Sequence, residues 1–438
     1  MTTSTAAGRR LVFPTLETMH RVLFVIHFPV FGGPHNQALR LAKPLSERGW
    51  ETIVLLPAGS GGAARRLRDA GVEVVTLPLH RVRSVADPRP HLRLAVGLGP
   101  EIQSIRRLIR ERSIDLVQVG GLVNPHAALA ARLEHVPIVW QLLDTRTPWP
   151  VALVPMALVR QLSNAVMSTG RLTAEAHPGG RALGERLITF FPPVDTDVFR
   201  PNPEERHDIR QEWGVDDTSP VIGCVANINP QKGIVDLVRA FTLVRRHAPN
   251  TRLVLVGAEY GTHLRYSAEV RKAILEGGLT EGRDVIFRGE RTDVERELSG
   301  FDVFAFAPMP HSEGVSTCVL EAMACGLPVI ATGVAGLPDA IEDGVSGRLV
   351  CPSRPDSMAD AIVSLLQNPA EAAKLGENAR RRAIALFSTE KCVNDHIKAY
   401  EYALARTGRR ERQIQGSKIV SSDGQPASSS RTVKRRRR

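Results

Sequence analysis

Strand-like and helical runs alternate along this chain, the alternation halts once, and then it resumes. The first series of extended apolar runs is VLFVIH (22–27), ETIVLLP (51–57), VEVVTLPL (72–79), DLVQVGG (115–121) and PIVWQLLD (137–144). The helical run PHNQALRLAKPLSERG between the first two ends at Gly49, the residue type that stops helices. A second, PEIQSIRRLIRERS, lines up Ile102, Ile105, Leu108 and Ile109 as one apolar stripe, with its arginines left for the solvated face. Strand, helix and strand in repetition pack as a parallel sheet with right-handed crossovers. The Pro-rich stretch LITFFPPVDTDVFRPNPEE (187–205) reads as a connection. After it come VIGCVANI (221–228), RLVLVGAE (252–259), DVIFRG (284–289), FDVFAFAP (301–308), PVIATGV (328–334) and GRLVCP (347–352). The expected fold is therefore α/β, with two doubly wound domains facing across a cleft. Ligands of such sheets bind beyond the carboxyl ends of the strands.

The domain division expected is a disordered start over 1–20, a first domain over 21–200 and a second over 201–387. A helix over 388–405 crosses back to the first, and a disordered basic tail fills 406–438. With 438 residues, 43% of them apolar, the chain has the material for two cores. Its five cysteines, Cys224, Cys318, Cys325, Cys351 and Cys392, form no C-x-x-C pair and read as reduced thiols. No secretory signal is visible at the start, and no apolar run reaches the ~18 residues a membrane span needs. The expected setting is cytoplasmic, with peripheral contact at the inner face of the membrane. Of the net charge of +11, the tail from Arg406 onward carries +9 and the rest of the chain +2. A +9 disordered segment supports non-specific contact with nucleic acid at most, so no specific nucleic acid partner is expected.

One stretch holds most of the chemistry: HSEGVSTCVLEAMACGLPVIATGVAG (311–336). It follows an apolar strand and places Glu313 eight positions before Glu321. Ser316 is a good N-cap for the helix between them, and Gly326 is its stop. A helix N-terminus attracts phosphate through free N–H groups and partial positive charge. Glu321 falls about 7–8 Å further along the axis at 1.5 Å per residue. A diphosphate with a sugar at one end and a ribose at the other fits that spacing. A capped surface helix with two solvated glutamates fits it as well.

The longer stretch SEGVSTCVLEAMACGLPVIATGVAGLPDAIEDGVSGRLV resembles the donor-binding signature of the retaining nucleotide-sugar glycosyltransferases of family four, whose architecture is GT-B, two Rossmann-like domains facing across a cleft. NPQKGIVDLVRAF, FPPVDTDVFRP and FGGPHNQALRLAKPLSERGWETIVL are similar to further segments of that family, and the resemblance covers residues 21–400. It implies that Glu313 holds hydroxyls of the transferred sugar and that Gly314, Val315 and Ser316 offer donors to sugar and phosphate. Glu321 would bind the ribose, Lys232 would neutralise the departing diphosphate, and Gly32 and Gly33 would let the first loop approach the donor. The implied partners are a nucleotide diphosphate-sugar donor and a carbohydrate or lipid-linked acceptor, with no cofactor and no metal. The implied reaction is hexosyl transfer in polysaccharide or glycolipid assembly.

Three positions depart from the family. Its arginine before the lysine is Asn227 here, a donor-binding position without the charge, for which Arg291 is the first substitute to consider. Ala335–Gly336 replaces a Gly-Gly pair ahead of the acidic Asp339, and Pro192–Pro193 replaces Asn-Gly in the connection. Asp144, ending the fifth run, is a candidate catalytic group near the acceptor. The D-x-D of Asp195–Asp197 reads as structural, as do His27 and His126. PWPVALVPMALVRQL reads as an ordinary buried helix, the alternative being a membrane-docking one. Two rival functions stand beside transfer. One is a GT-B phosphorylase using inorganic phosphate. The other is a weakened relative that binds nucleotide sugar as a scaffold, motivated by Asn227.

Overall fold

The computed structural model describes residues 19–422 apart from 60, 81–87 and 123–124, and the backbone alone of 88–95 and 408–422. Seven strands form the first sheet: β1 (His20–Ile26), β2 (Trp50–Pro57), β3 (Glu73–Leu77), β4 (Leu116–Gly120), β5 (Ile138–Leu142), β6 (Ala165–Thr169) and β7 (Leu187–Phe190). Their order is β3-β2-β1-β4-β5-β6-β7, every pair parallel. Six more form the second: β8 (Val221–Val225), β9 (Arg252–Val256), β10 (Val285–Gly289), β11 (Val303–Phe306), β12 (Val329–Thr332) and β13 (Arg348–Val350), ordered β10-β9-β8-β11-β12-β13 and again parallel.

Both sheets are covered on two faces. Along β1, Leu23 and Val25 join the cluster containing Ile105 and Ile109, while Phe24 and Ile26 join the one containing Ala38 and Leu67. This is the period of two that a strand imposes, with apolar partners on each side. The expected stripe on the helix Pro88–Glu111 lies inward, and its Arg106 and Arg110 pair with Glu134 at the surface. The second sheet encloses Phe241, Phe301, Phe304 and Phe306, all fully buried.

Four features differ from the sequence reading. Strands β6 and β7 are additional. The run LITF, taken as the start of the connection, is the outermost strand of the first sheet. The crossing helix runs Thr389–Ser422, beyond residue 405 into the basic segment, whose Arg, Glu and Gln residues are good helix formers. The remainder of that segment, 423–438, and residues 1–18 lie outside the described residues. The helix Trp149–Leu162 buries Ala152, Met156 and Val159 but leaves Trp149 59% and Val154 71% exposed, so it is not an ordinary buried helix.

The chain passes between the domains twice, and the two passages touch. Val194 N–H donates to Phe387 O at 2.8 Å, and Thr389 N–H donates to Val194 O at 3.1 Å. Past this bridge the last helix lies on the first domain, burying Cys392, Val393, Ala399, Tyr400 and Ala403 in the cluster that holds Leu41, Val139 and Phe190.

Candidate active site

The order of each sheet reverses direction where β1 meets β4 and where β8 meets β11. The loops leaving those strands face one another across a cleft of ≈ 670 Å³. Its walls include every position expected to bind donor or to act in catalysis: Gly32, Gly33, Asp144, Asn227, Lys232, Glu313, Gly314, Val315, Ser316 and Glu321.

The turn after β11 supplies the centre. Gly314 is required there, because a Cβ would lie 2.2 Å from Leu143 O and 2.4 Å from Thr169 Oγ1 in the opposite domain. Thr145, two residues beyond Leu143 on the loop after β5, donates its N–H and its hydroxyl to Glu313 O at 3.3 and 3.2 Å. Glu313 accepts from Lys232 Nζ at 2.6 Å and from Ser316 Oγ at 2.9 Å. Burial opposes the charge on Lys232, but Glu313 outweighs it and the ammonium is held more firmly than usual. Ser316 occupies the N-cap of the helix Thr317–Ala324, yet its hydroxyl goes to Glu313 and not to the first turn. Its expected capping bond is thus absent, since the carboxylate three residues earlier is the stronger acceptor. The helix ends, as its sequence suggests, with Gly326 at φ +73°.

Glu321 is buried, which raises its pKa against the opposing pull of Arg40. Arg40 Nη2 donates to Glu321 Oε1 at 2.6 Å, and Nη1 donates to Pro193 O at 2.7 Å. Arg40 comes from the helix Gly33–Ser46 of the first domain and approaches the carboxylate outside the cleft lining. No sequence signal marks it, because its partner lies 281 residues away.

The glycine loop after β1 is shaped by His35. Its Nδ1 accepts from Gly32 N–H at 3.2 Å, and its Nε2 donates to Phe28 O at 3.0 Å. Burial lowers its pKa to about 4, which keeps the ring neutral as both bonds require. A Cβ at Gly33 would meet nothing within 4 Å, so that glycine leaves open space in the cleft wall.

Asn227 lines the cleft, but its Oδ1 accepts from Ala258 N–H at 3.0 Å and fixes the loop after β9. Arg291 also lines the cleft, gripping Asp293 through two bonds at 3.0 and 2.7 Å with Glu297 at 3.1 Å. Asp144 uses both oxygens on one neighbour: Oδ1 accepts Arg146 N–H at 3.0 Å and Oδ2 accepts Nη2 at 2.7 Å. Asp195 Oδ1 accepts from Asp197 N–H and Val198 N–H, so the D-x-D is a turn in the connection. Asp339 Oδ2 accepts Leu172 N–H of the first domain at 2.7 Å, a tie between the domains.

Two parallel sheets with a cleft of this size between their carboxyl ends define a GT-B protein. Its likeness to solved structures agrees. HepE from Anabaena, solved with UDP and glucose, superposes with a TM-score of 0.72 at 22% identity over 87% of this chain and 99% of that one. A glycosyltransferase from Rickettsia africae gives 0.72 at 18%, over 88% and 98%. The model for glycosyl transferases group 1 matches residues 205–382, and that for the glycosyl transferase 4-like domain matches 32–221. The GDP-mannose-dependent alpha-(1-6)-phosphatidylinositol monomannoside mannosyltransferase of Mycolicibacterium smegmatis is 30% identical over 64% of this chain and 74% of its own length. The D-inositol 3-phosphate glycosyltransferase of Mycobacterium marinum is 32% identical over 53% of this chain, and the match spans about half, 49%, of that relative. The chain belongs to the group 1 glycosyltransferases of the family-four type.

Proposed function

We propose that the protein transfers a sugar from a nucleotide diphosphate donor to a lipid-linked acceptor, with retention at the anomeric carbon and without a metal. The observation that carries this is the Lys232–Glu313 pair, 2.6 Å apart at the start of the helix that bears Glu321 deeper in the cleft. Glu321 has its Oε2 free of described protein donors, so it can accept from ribose hydroxyls while Oε1 stays on Arg40. The diphosphate then lies across the helix N-terminus, and Glu313 meets the sugar. In the transfer, the bond from the anomeric carbon to the diphosphate oxygen breaks and its electron pair leaves with the diphosphate. The acceptor hydroxyl oxygen bonds to the same face, and its proton passes to the departing phosphate oxygen. Glu313 is engaged by Lys232 and Ser316, which argues against its acting as a covalent nucleophile and favours front-face attack. Stabilising charge on the leaving diphosphate is the dominant catalytic contribution in this scheme.

The acceptor side supports a glycolipid. Trp149, Val151, Leu153 and Val154 form an exposed apolar face on the helix that follows the cleft loop 143–148. Residues 21–200 carry 22 Lys/Arg against 14 Asp/Glu, a net of +8 that favours an anionic surface. We place the protein peripherally at the cytoplasmic membrane face, with phosphatidylinositol-type lipids as the acceptor class, in line with the acceptor named for its Mycolicibacterium smegmatis relative. Among the described residues, no helix is long and apolar enough to cross a membrane. A thermal-shift screen against UDP-, GDP-, ADP- and TDP-sugars tests the donor reading, because a ligand of the folded state raises the melting temperature. One donor class is expected to stand out. A flat response to all four would overturn the proposal.

A further inference from the structure

A departing nucleoside diphosphate carries about three negative charges at neutral pH, and preorganised cations aimed at them are what lower the barrier. Lys232 is one such cation, already shared with Glu313. Asn227 carries no charge, and its carbonyl oxygen is committed to Ala258 N–H. Arg291 is held by two carboxylates, Asp293 through two bonds and the buried Glu297 at 3.1 Å, and both oppose its turning toward a ligand. The remaining arginine among the described lining residues is Arg146.

Arg146 differs from Arg291 in three respects. Its side chain is 57% exposed toward the cleft mouth, and one carboxylate, Asp144, holds it through Nη2 alone. Its Nε and Nη1 meet no acceptor among the described residues, so two of its nitrogens remain to donate to an oxyanion. Its loop is fixed directly above the donor centre, since Thr145 is bonded to Glu313 O at 3.2 and 3.3 Å. Arg146 is therefore set at the sugar end of the cleft, beside Lys232–Glu313, and not at the ribose end beside Glu321.

We propose that Arg146 is the second cation on the leaving diphosphate, released to it by Asp144 and supplied from the opposite domain. Resting on the donor reading above, this has a consequence for control. Lys232 belongs to the donor domain and Arg146 to the acceptor domain, so full charge compensation exists only while the two are closed. A donor bound to an open molecule meets one cation and is protected from wasteful hydrolysis.

The experiment is calorimetric titration of the full chain and its Arg146→Ala, Arg146→Lys and Asp144→Asn variants with UDP, GDP, UMP and GMP, alongside acceptor-dependent kinetics. The parent should prefer the diphosphate of its base over the monophosphate. Arg146→Ala should weaken diphosphate binding at least tenfold with less than a twofold change for the monophosphate. Arg146→Lys should recover part of the loss. Asp144→Asn, which frees Arg146, should bind diphosphate at least as tightly as the parent. Unchanged diphosphate affinity in Arg146→Ala would overturn the proposal, as would an equal loss for both nucleotides. A raised acceptor KM with unaltered diphosphate affinity would also overturn it, assigning Arg146 to an acceptor phosphate. If the parent bound none of the four nucleotides, the donor reading itself would fall.

Discussion

Glu313 and Glu321 stand eight positions apart and are engaged from opposite domains of the molecule, the first by Lys232 of its own domain and the second by Arg40 of the other. Their loss should therefore be felt differently. Glu313→Ala leaves Lys232 buried without its counter-charge, a vacancy that a phosphate can fill. Diphosphate binding should survive while turnover falls steeply. On the proposed reading Glu321→Ala removes the acceptor for ribose hydroxyls, and nucleotide affinity should drop by about 1.5–3 kcal/mol for a lost charge-assisted hydrogen bond. Calorimetry with UDP or GDP separates the two, and parental affinity in both variants would sink the two-ended reading. At this scale one wall of the cleft was legible, since Glu313, Lys232 and Glu321 sit in continuous motifs. Arg40 and Arg146 were not. Each is an ordinary arginine in sequence, and Arg40 acquires its partner only when residues 281 positions apart are brought together.

The last helix acts as an element of the first domain through a buried polar knot. His396 Nδ1 donates to Cys392 O at 2.8 Å, and its Nε2 accepts from Gln37 at 2.9 Å and Gln141 at 3.2 Å. Burial pushes its pKa down to about 4 from an ordinary 6.5. The unfolded chain thus takes up the proton first as pH falls, and stability is lost between pH 6.5 and about 4. By pH 5 this histidine alone should cost about 2 kcal/mol. His396→Gln should lower stability at pH 7 but flatten its decline toward pH 5, as read by denaturant melts at the two pH values. A parallel decline in both proteins would show that His396 does not titrate in this way. Elements differed in how visibly they announced themselves. β1 and β9 are runs of large aliphatic residues bounded by turns. β6, AVMST, is as long as β9 but ends in small polar residues, and β7 runs into Pro192–Pro193, so composition masked both. The helix Trp149–Leu162 misled for another reason: a run apolar on all sides says nothing about which side is covered.

Across the whole molecule, charge is divided as sharply as structure. Residues 21–200 hold a net +8, whereas 201–405 carry 22 Lys/Arg against 29 Asp/Glu, a net −7. The small balance outside the tail conceals two oppositely charged halves, an arrangement that favours closure at low salt and an acidic-lipid surface on the acceptor side. The last helix gives a prediction at this scale. Deleting 423–438 should leave the melting temperature nearly unchanged. Deleting 389–438 should abolish soluble folding, because it uncovers the apolar face made by Val139, Met167 and Phe190. Equal melting temperatures for the two truncations would show the helix to be dispensable.

The paired passages at Val194 and Phe387–Thr389 have a bearing on how such a molecule can change over evolutionary time. Because the chain leaves and re-enters the first domain through one hydrogen-bonded bridge, the second domain is topologically an insert, a cassette whose two ends lie side by side. Such a cassette can be exchanged for that of a relative with two adjacent splices, without rethreading the host sheet. Nucleotide preference would travel with the insert and acceptor preference would stay with the host. The ties that would have to be matched anew include, among the described residues, the bonds of Arg40 to Glu321, Thr145 to Glu313 and Asp339 to the turn at Leu172, and the packing of Gly314 on Leu143 and Thr169.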